Sequence, residues 1–536
     1  MKNNTTKTPL FNTLRKALRM AITANKNQAS SEEMVQRAED AVLSRRKFIE
    51  NTGKTLIIGG LIGFNTEGAF GRSFLSKASP RIAIVGAGIA GLHALHIFKK
   101  TGLDATVYEA SGRTSGRMFT VQNAMGDGTW TEFGGEFVDT NHKDMWDLAK
   151  EFNLELVDYA QASENALTKE VFFFDGKNHT LKDVVEAFRG FADKIAADAE
   201  RLPDNMSTDG YKTKDPYIKK LDRMSLSEYL EKIGARGWIK EFIEVAYESE
   251  YGLSPQVQSA INLPILISTD TEGGKFELFG ESDERYKVKG GNQSIPDAIA
   301  KKYPDHIQLN RSLEAISLAS NGYNLTFSGM KNAVKADYVV IAIPFSRLKN
   351  VDIRLQMPQV KWDSINHMGF GTNAKLMLGM TKHFWREQGF QGLCYSDVGI
   401  PNGWDNAQLQ NSDNETAGLS ILFGGPSGLA LGKGSVRAQK DKYLPLWDKI
   451  YKGATEHFNG KMARMNWNVY PYALGSYICY RTGQYTTIAG AEAMPIGNVF
   501  FAGEHCGGDF SGFMNGAAKS GREAAEKIVA LCLEKK

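Results

Sequence analysis

The chain has 536 residues and is 42% hydrophobic, 23% charged and 10% aromatic, enough for roughly two to four domain-sized units with a large buried core. A net charge of +3 is small for that length, and no basic run is interleaved with aromatics, so no nucleic-acid surface is expected. Cys394, Cys479, Cys506 and Cys532 are far apart with no C-x-x-C pair, which argues against a zinc site or thioredoxin-type motif and reads as scattered buried thiols.

The first segment, 1–79, reads as a leader. A basic stretch, NTLRKALRM, and an acidic one, SSEEMVQRAED, both have helical periodicity. They precede SRRKFI at 44–49 and an apolar run from Thr55 to Phe64. Paired Arg45–Arg46, a polar gap and then apolar residues resemble a twin-arginine export signal. The run is shorter than the about 20 residues a membrane span needs, so no stable membrane span is expected. Removal is placed near Ala69–Gly71 or Ala78, and the implied destination is periplasmic or extracellular, reached through the twin-arginine export machinery.

RIAIVGAGIAG at 81–91 follows. A β-branched strand leads into Gly86, Gly88 and Gly91 at G-x-G-x-x-G spacing, with Ile89 and Ala90 opening a helix. Gly86 permits the tight turn, Gly88 lets a pyrophosphate approach the backbone, and Gly91 lets helix and strand pack closely, with the pyrophosphate on the helix N-terminus. On that helix His93 and His96 lie three apart with no further ligand nearby, so they read as helix-face residues and no metal site is expected. A second strand, DATVYEA, ends in Glu109 and Ala110, the acid placed for ribose hydroxyls. Together these indicate a dinucleotide, NAD or FAD.

Arg113 and Arg117 in EASGRTSGRMFT, Gly134–Gly135 in TEFGGEFVDTNH, and the distant NVFFAGEHCGGDFSGFMNGAAKSGREAAEKI extend the pattern. With these motifs, the chain from about Pro80 onward resembles the flavin-containing amine oxidase family, which includes monoamine, polyamine and L-amino acid oxidases. The resemblance implies FAD, with Glu109 on the adenosine ribose and Arg113 and Arg117 near the pyrophosphate. It implies Gly134, Gly135, Glu136 and Phe137 beside the flavin and Leu313 at the adenine. It also implies Gly503–Glu504 at the ribityl chain and Phe513–Met514 over the pyrimidine end. The family usually has two glycines before the second arginine; here stand Ser115–Gly116.

The implied fold is α/β. A discontinuous, Rossmann-like FAD-binding domain (80–160, 270–345, 460–536) carries a mixed-sheet and helical substrate domain (161–269, 346–459). The implied activity is FAD-dependent amine oxidation: a hydride passes from the amine's α-carbon to flavin, oxygen is the acceptor, and hydrogen peroxide forms. Lys375, in an otherwise apolar strand, is the implied catalytic lysine, bridged through water to the flavin. Tyr477 and Phe513 are the aromatic walls for the amine. Ser476 stands where covalent-flavin relatives have cysteine, which predicts noncovalent FAD. Phe137 stands near the place of the carboxylate-clamping arginine of L-amino acid oxidases, which favours a carboxylate-free amine unless Arg285 serves. The alternatives are an L-amino acid oxidase, a desaturase of a hydrophobic substrate and, from another class, a flavin-binding protein without turnover. A homodimer is compatible with the sequence.

Overall fold

The computed structural model describes residues 9–38, 79–161, 164, 166–266, 283–410 and 416–534. Arg45–Arg46, the apolar run Thr55–Phe64 and both removal positions lie outside these residues.

The β-branched run Ile82–Val85 becomes the central strand of a five-stranded sheet and is buried along its whole length. Tyr338–Ile341 and Ala105–Tyr108 flank it in parallel, with Val499–Phe501 and Ile307–Gln308 outside them, also parallel. Strands buried on both faces read as continuous apolar segments, as VYE-capped ATVY and YVVI do. The helices Ile89–Lys100 and Met514–Glu534 pack on this sheet and on each other. Gly86 makes the turn between strand and helix at φ +103°, with Ala342 O 2.8 Å from where a Cβ would stand; at Gly91 a Cβ would lie 1.9 Å from Gly86 O. Neither position admits a side chain.

His93 and His96, expected on a helix face, are in the core. His93 Nδ1 is 2.9 Å from Ala518 O on the C-terminal helix, and His96 bonds Tyr303 and Glu151. Burial first, with only partial compensation from Ala518, pushes His93 down to about 4, so it is neutral at pH 7. No group of acids, histidines or cysteines able to hold a metal occurs among the described residues.

A seven-stranded mixed sheet forms the second layer, in the order Phe458–Asn466, Ala374–Met380, Ala417–Phe423, Asn402–Asp405, Phe390–Ser396, Thr168–Phe174, Lys177–His179. Helices from Leu181 to Tyr251 pack beside its Thr168–Phe174 end, where Phe172 and Phe174 meet Phe242 edge-on at 5.5 and 5.2 Å. Two pairings join segments that lie far apart or on either side of a boundary read in the sequence. Asp352–Arg354 pairs in parallel with Leu313–Leu318 in a separate four-stranded sheet, and Phe458–Asn466 pairs with Ala374–Met380 rather than with cofactor-side strands. Strand pairing at long sequence distance decides such boundaries, and no local pattern announces it.

Of the segment read as a leader, residues 9–38 are described. Pro9–Asn27 is a helix whose Leu14, Leu18, Ala21 and Ala24 are buried in the core shared with Val184, Val185 and Phe188. Polar contacts fix its register: Thr13 donates to Glu170, Asn25 Nδ2 to Arg189 O at 3.0 Å, and Arg189 Nη1 to Ala29 O at 2.9 Å. Its apolar stripe packs on the Leu181–Arg189 helix instead of standing free. No helix among the described residues is long and apolar enough to cross a membrane.

Candidate active site

One cavity runs from the glycine turn at 86–90 to the inner face of the seven-stranded sheet. At its first end Glu109 closes the second strand. Its Oε2 accepts from the Ala87 N–H at 2.8 Å and its Oε1 from the Ser111 N–H and hydroxyl at 2.8 and 2.7 Å. Leu313 and Arg311 line the same end. Gly88 faces open space, with nothing within 4 Å of an added Cβ, and it starts the Ile89–Lys100 helix without any side-chain cap. The helix N-terminus therefore presents unsatisfied N–H groups to the cavity.

The loop 113–117 closes over this turn. Ser115 takes a left-handed backbone at φ +75° and is buried, the conformation glycine adopts without strain. Its N–H donates to Ala87 O at 2.9 Å, and its hydroxyl accepts from Arg113 Nη1 at 2.8 Å. Arg113 also donates to Thr114 O and Gly116 O and stacks on Phe119 at 4.3 Å. Arg113 thus braces the loop beside the glycine turn. Gly91 is likewise a packing residue. Arg117 lines the cavity. Its Nη1 donates to Ser476 O and, at 2.9 Å, to Glu504 Oε1, while Glu504 Oε2 accepts from the Ile478 N–H.

Farther in, Gly134 to Phe137, Gly503, Phe513 and Met514 line the wall, with the Met514–Glu534 helix starting there. Glu136 is the hub. Its Oε1 accepts from Lys287 Nζ at 2.6 Å and Trp404 Nε1 at 2.8 Å, and its Oε2 from Lys375 Nζ at 2.7 Å. Lys375 also donates to Gly134 O at 2.9 Å and Glu132 O at 3.2 Å, so its ammonium protons all go to protein oxygens. Burial alone would push Glu136 up, yet Lys287 and Lys375 carry it down to about 2. Next to it, burial lifts Glu132 to about 7 against the hydrogen bond from Asn292.

Tyr477 and Phe513 both line the far part of the cavity, with Phe137 and Trp404, whose rings are 6.2 Å apart. Burial, then the fields of Glu250, Cys479 and Glu284, push the Tyr477 phenol well above its ordinary range, so it stays neutral. Asp139 and Glu284 line the cavity too. Arg285, a candidate carboxylate clamp, is committed elsewhere: its Nε and Nη2 hold Asp158 at 2.7 and 2.5 Å. Ser476 lines the cavity with its hydroxyl donating to Asn373 Oδ1 at 2.6 Å, while Cys479 is buried away from it. Sequence reasoning missed Lys287, Trp404 and Glu284, which stand in the polar stretches SDERYKVKGG and PNGWDNAQ with no local pattern to mark them.

FAD fits what is present. An uncapped helix N-terminus behind a side-chain-free Gly88 suits a pyrophosphate, Glu109 stands beside it for the ribose, and Lys375 and a second helix N-terminus face the isoalloxazine end.

The model of the flavin-containing amine oxidoreductase family matches residues 89–529. A flavin-containing amine oxidase of Danio rerio is 23% identical over 460 residues, covering 84% of this chain and 85% of the relative. An L-amino acid dehydrogenase of Synechocystis is 24% identical over 472 residues, covering 84% and 94%. Among solved structures, putrescine oxidase bound to putrescine aligns with TM-score 0.72 at 20% identity, over 84% of this chain and 99% of that one. Cyclohexylamine oxidase from Brevibacterium oxydans aligns with TM-score 0.73 at 19% identity, over 85% and 100%. These two structures share the fold.

Replacing Glu136 by Gln leaves Lys287 and Lys375 buried without their counter-charge, and is expected to cost about 3–5 kcal/mol of stability at neutral pH. Glu136 titrates at about 2 when folded against an ordinary 4.5, so its contribution is complete above 4.5 and is lost as pH falls through 2. Urea midpoints of the parent and Glu136→Gln should therefore converge across that window. A gap that stays constant from pH 5 to 2 would contradict the ion-pair assignment.

Proposed function

The chain belongs to the flavin-containing amine oxidoreductase family and is an FAD-dependent oxidoreductase acting on amines; from that premise we propose that its substrate is an amine without a carboxylate. The observation that carries this reading is the charge of the substrate end. Arg285 is spent on Asp158 and Lys375 on Glu136, while Asp139 and Glu284 line the wall. Among the described residues a substrate carboxylate would meet no bidentate cation there and would face two acids. Bound FAD supplies the two-electron acceptor for the amine's α-carbon–hydrogen bond, with oxygen as final acceptor, so that the products are an imine and hydrogen peroxide.

The protein's own part is orientation and exclusion of water. Tyr477, Phe513, Phe137 and Trp404 give an apolar, ring-lined space that favours the neutral form of the reacting nitrogen and holds its alkyl neighbours. Lys375 is a positioning residue: it clamps Gly134 O and Glu132 O, fixing the wall that would hold FAD, and would supply positive charge to it. Ser476 in the cavity, with Cys479 outside it, supports noncovalent FAD. The paired Arg45–Arg46 and the apolar run after them support twin-arginine export to the periplasm or exterior. That route carries folded chains, which suits a protein whose Pro9–Asn27 helix is packed on the body.

The purified yellow protein should release its FAD on acid precipitation. In a peroxide-coupled screen it should turn over simple amines in preference to α-amino acids; peroxide formed only with amino acids would reverse the substrate assignment. Lys375→Met is expected to retain FAD while flavin reduction or reoxidation slows at least tenfold in stopped-flow absorbance, and unchanged rates would remove Lys375 from the chemistry. For export, Arg45→Lys with Arg46→Lys should trap the enzyme in the cytoplasmic fraction. Undiminished export of that double variant would dismiss the signal.

A further inference from the structure

The cationic side chains that line the cavity are Arg117, Arg311, Arg347 and Lys375. Arg117 Nη1 donates to Ser476 O and Glu504 Oε1, and Lys375 gives its protons to Glu136, Gly134 O and Glu132 O. Arg311 Nη1 donates to Asn310 O at 3.2 Å, and its backbone N–H donates to Glu109 O at 2.7 Å, which keeps it at the ribose end. Arg347 differs. It is half-buried on the cavity wall, and among the described residues its guanidinium makes no hydrogen bond, ion pair or ring contact with the protein. A guanidinium is always charged and carries only donors, so what matches it in the cavity is an anion.

The place of Arg347 in the fold selects that anion. The strand Tyr338–Ile341 runs parallel to Ile82–Val85 with Ile341 beside Val85, and the Ala342 N–H donates to Val85 O at 2.8 Å. The chain then crosses the glycine turn: Ala342 O and Ile343 Cγ2 lie 2.8 and 3.0 Å from where a Gly86 Cβ would stand. Pro344 starts the short helix Phe345–Leu348 that carries Arg347. Phe345 and Leu348 are buried, and the Ser346 hydroxyl donates to Ala473 O at 2.5 Å, which pins this helix between the core and a loop that also lines the cavity. Arg347 therefore emerges from the segment laid over the turn suited to a pyrophosphate, at the C-terminal edge of a parallel sheet, where such sheets bind their ligands.

Charge balance points the same way. Each phosphate of the FAD diphosphate carries a negative charge, whereas the helix N-terminus behind Gly88 supplies only about half a positive one. Arg113 has both terminal nitrogens engaged by Ser115, Thr114 O and Gly116 O, and Glu109 adds negative charge at the same end. We propose that Arg347 is a second anchor for the diphosphate of FAD and thereby sets how long this chain holds its cofactor. The assignment concerns the ADP half of the cofactor and is independent of which amine is oxidised.

The test begins with the FAD-loaded full chain, from which cofactor release after dilution is read as a rise in flavin fluorescence. Arg347→Gln keeps much of the side chain's bulk without its charge and should release FAD about tenfold faster or more; Arg347→Lys should recover part of the difference. Added salt should speed release from the parent more than from Arg347→Gln, since only the parent has this ion pair to screen. A second measurement isolates the phosphates: on the flavin-depleted full chain, calorimetry should show ADP binding about tenfold tighter than adenosine or more, and Arg347→Gln should remove most of that preference. Matching circular-dichroism spectra and melting profiles show that the variants are folded. Equal FAD release from parent and Arg347→Gln overturns the proposal. So does an Arg347→Gln chain that binds ADP and adenosine equally weakened, which would put the side chain at the adenosine or in packing alone. If Arg311→Gln abolishes the ADP preference while Arg347→Gln retains it, the anchor is Arg311 and the proposal falls.

Discussion

The buried carboxylate of Glu136 is the constraint on which the rest of the molecule is arranged. It accepts from Lys287, Lys375 and Trp404, and so ties the 132–137 wall to the strands Tyr286–Val288, Ala374–Met380 and Asn402–Asp405. These belong to different layers: the cofactor-side wall, a short pair with Leu156–Asp158, and the seven-stranded sheet. Two ammonium groups and one carboxylate out of water are costly unless each proton finds an acceptor, and here Lys375 finds three. Such a cluster permits one relative placement of the layers, because a shift of an ångström would strand a charge.

The cluster also polarises the cavity. With Lys287 and Lys375 against Glu136, and Glu132 drawn toward neutrality by burial, the flavin-facing wall carries a positive excess. A helix N-terminus at Met514 adds to it. At the other side of the same space the lining acids are Asp139 and Glu284. A wall that is positive where reduced flavin would carry charge favours the direction in which the reaction moves electrons. The Arg117–Glu504 pair sits near the hinge of this arrangement, holding the 476–478 segment, and with it Tyr477, to the cofactor side.

What could be read in the sequence is what is local. Gly86, Gly88 and Gly91 fall within one turn and dictate the strand–turn–helix geometry by sterics alone, and Glu109 follows on the adjacent strand at a distance set by one helix. Lys375 was conspicuous because a charge in the buried run Ala374–Met380 demands a partner, but the identity of that partner, 239 residues away, leaves no local trace. Lys287, Trp404 and Glu284 were silent for the same reason. Arg113 and Arg285 show the converse. An arginine near a motif looks like a ligand clamp, yet a nearby carboxylate or carbonyl claims it first, as Asp158 claims Arg285 and as Thr114 O and Gly116 O claim Arg113.

The N-terminal helix makes the same argument from the opposite end of the sheet. Read alone, 9–38 is a charged, amphipathic stretch ahead of an apolar run, and its composition gives no address for its buried stripe. In the fold that stripe covers Val184, Val185 and Phe188, and Thr13 reaches Glu170 on the strand Thr168–Phe174. That strand pairs with Phe390–Ser396 and, through Asn402–Asp405 and Ala417–Phe423, connects to the strand bearing Lys375. A sheet margin left with apolar helices uncovered would loosen and invite pairing with other chains. The helix closes that margin, so a segment with no part in the chemistry braces the sheet whose far strands hold the ammonium of Lys375 and the ring of Trp404 against Glu136.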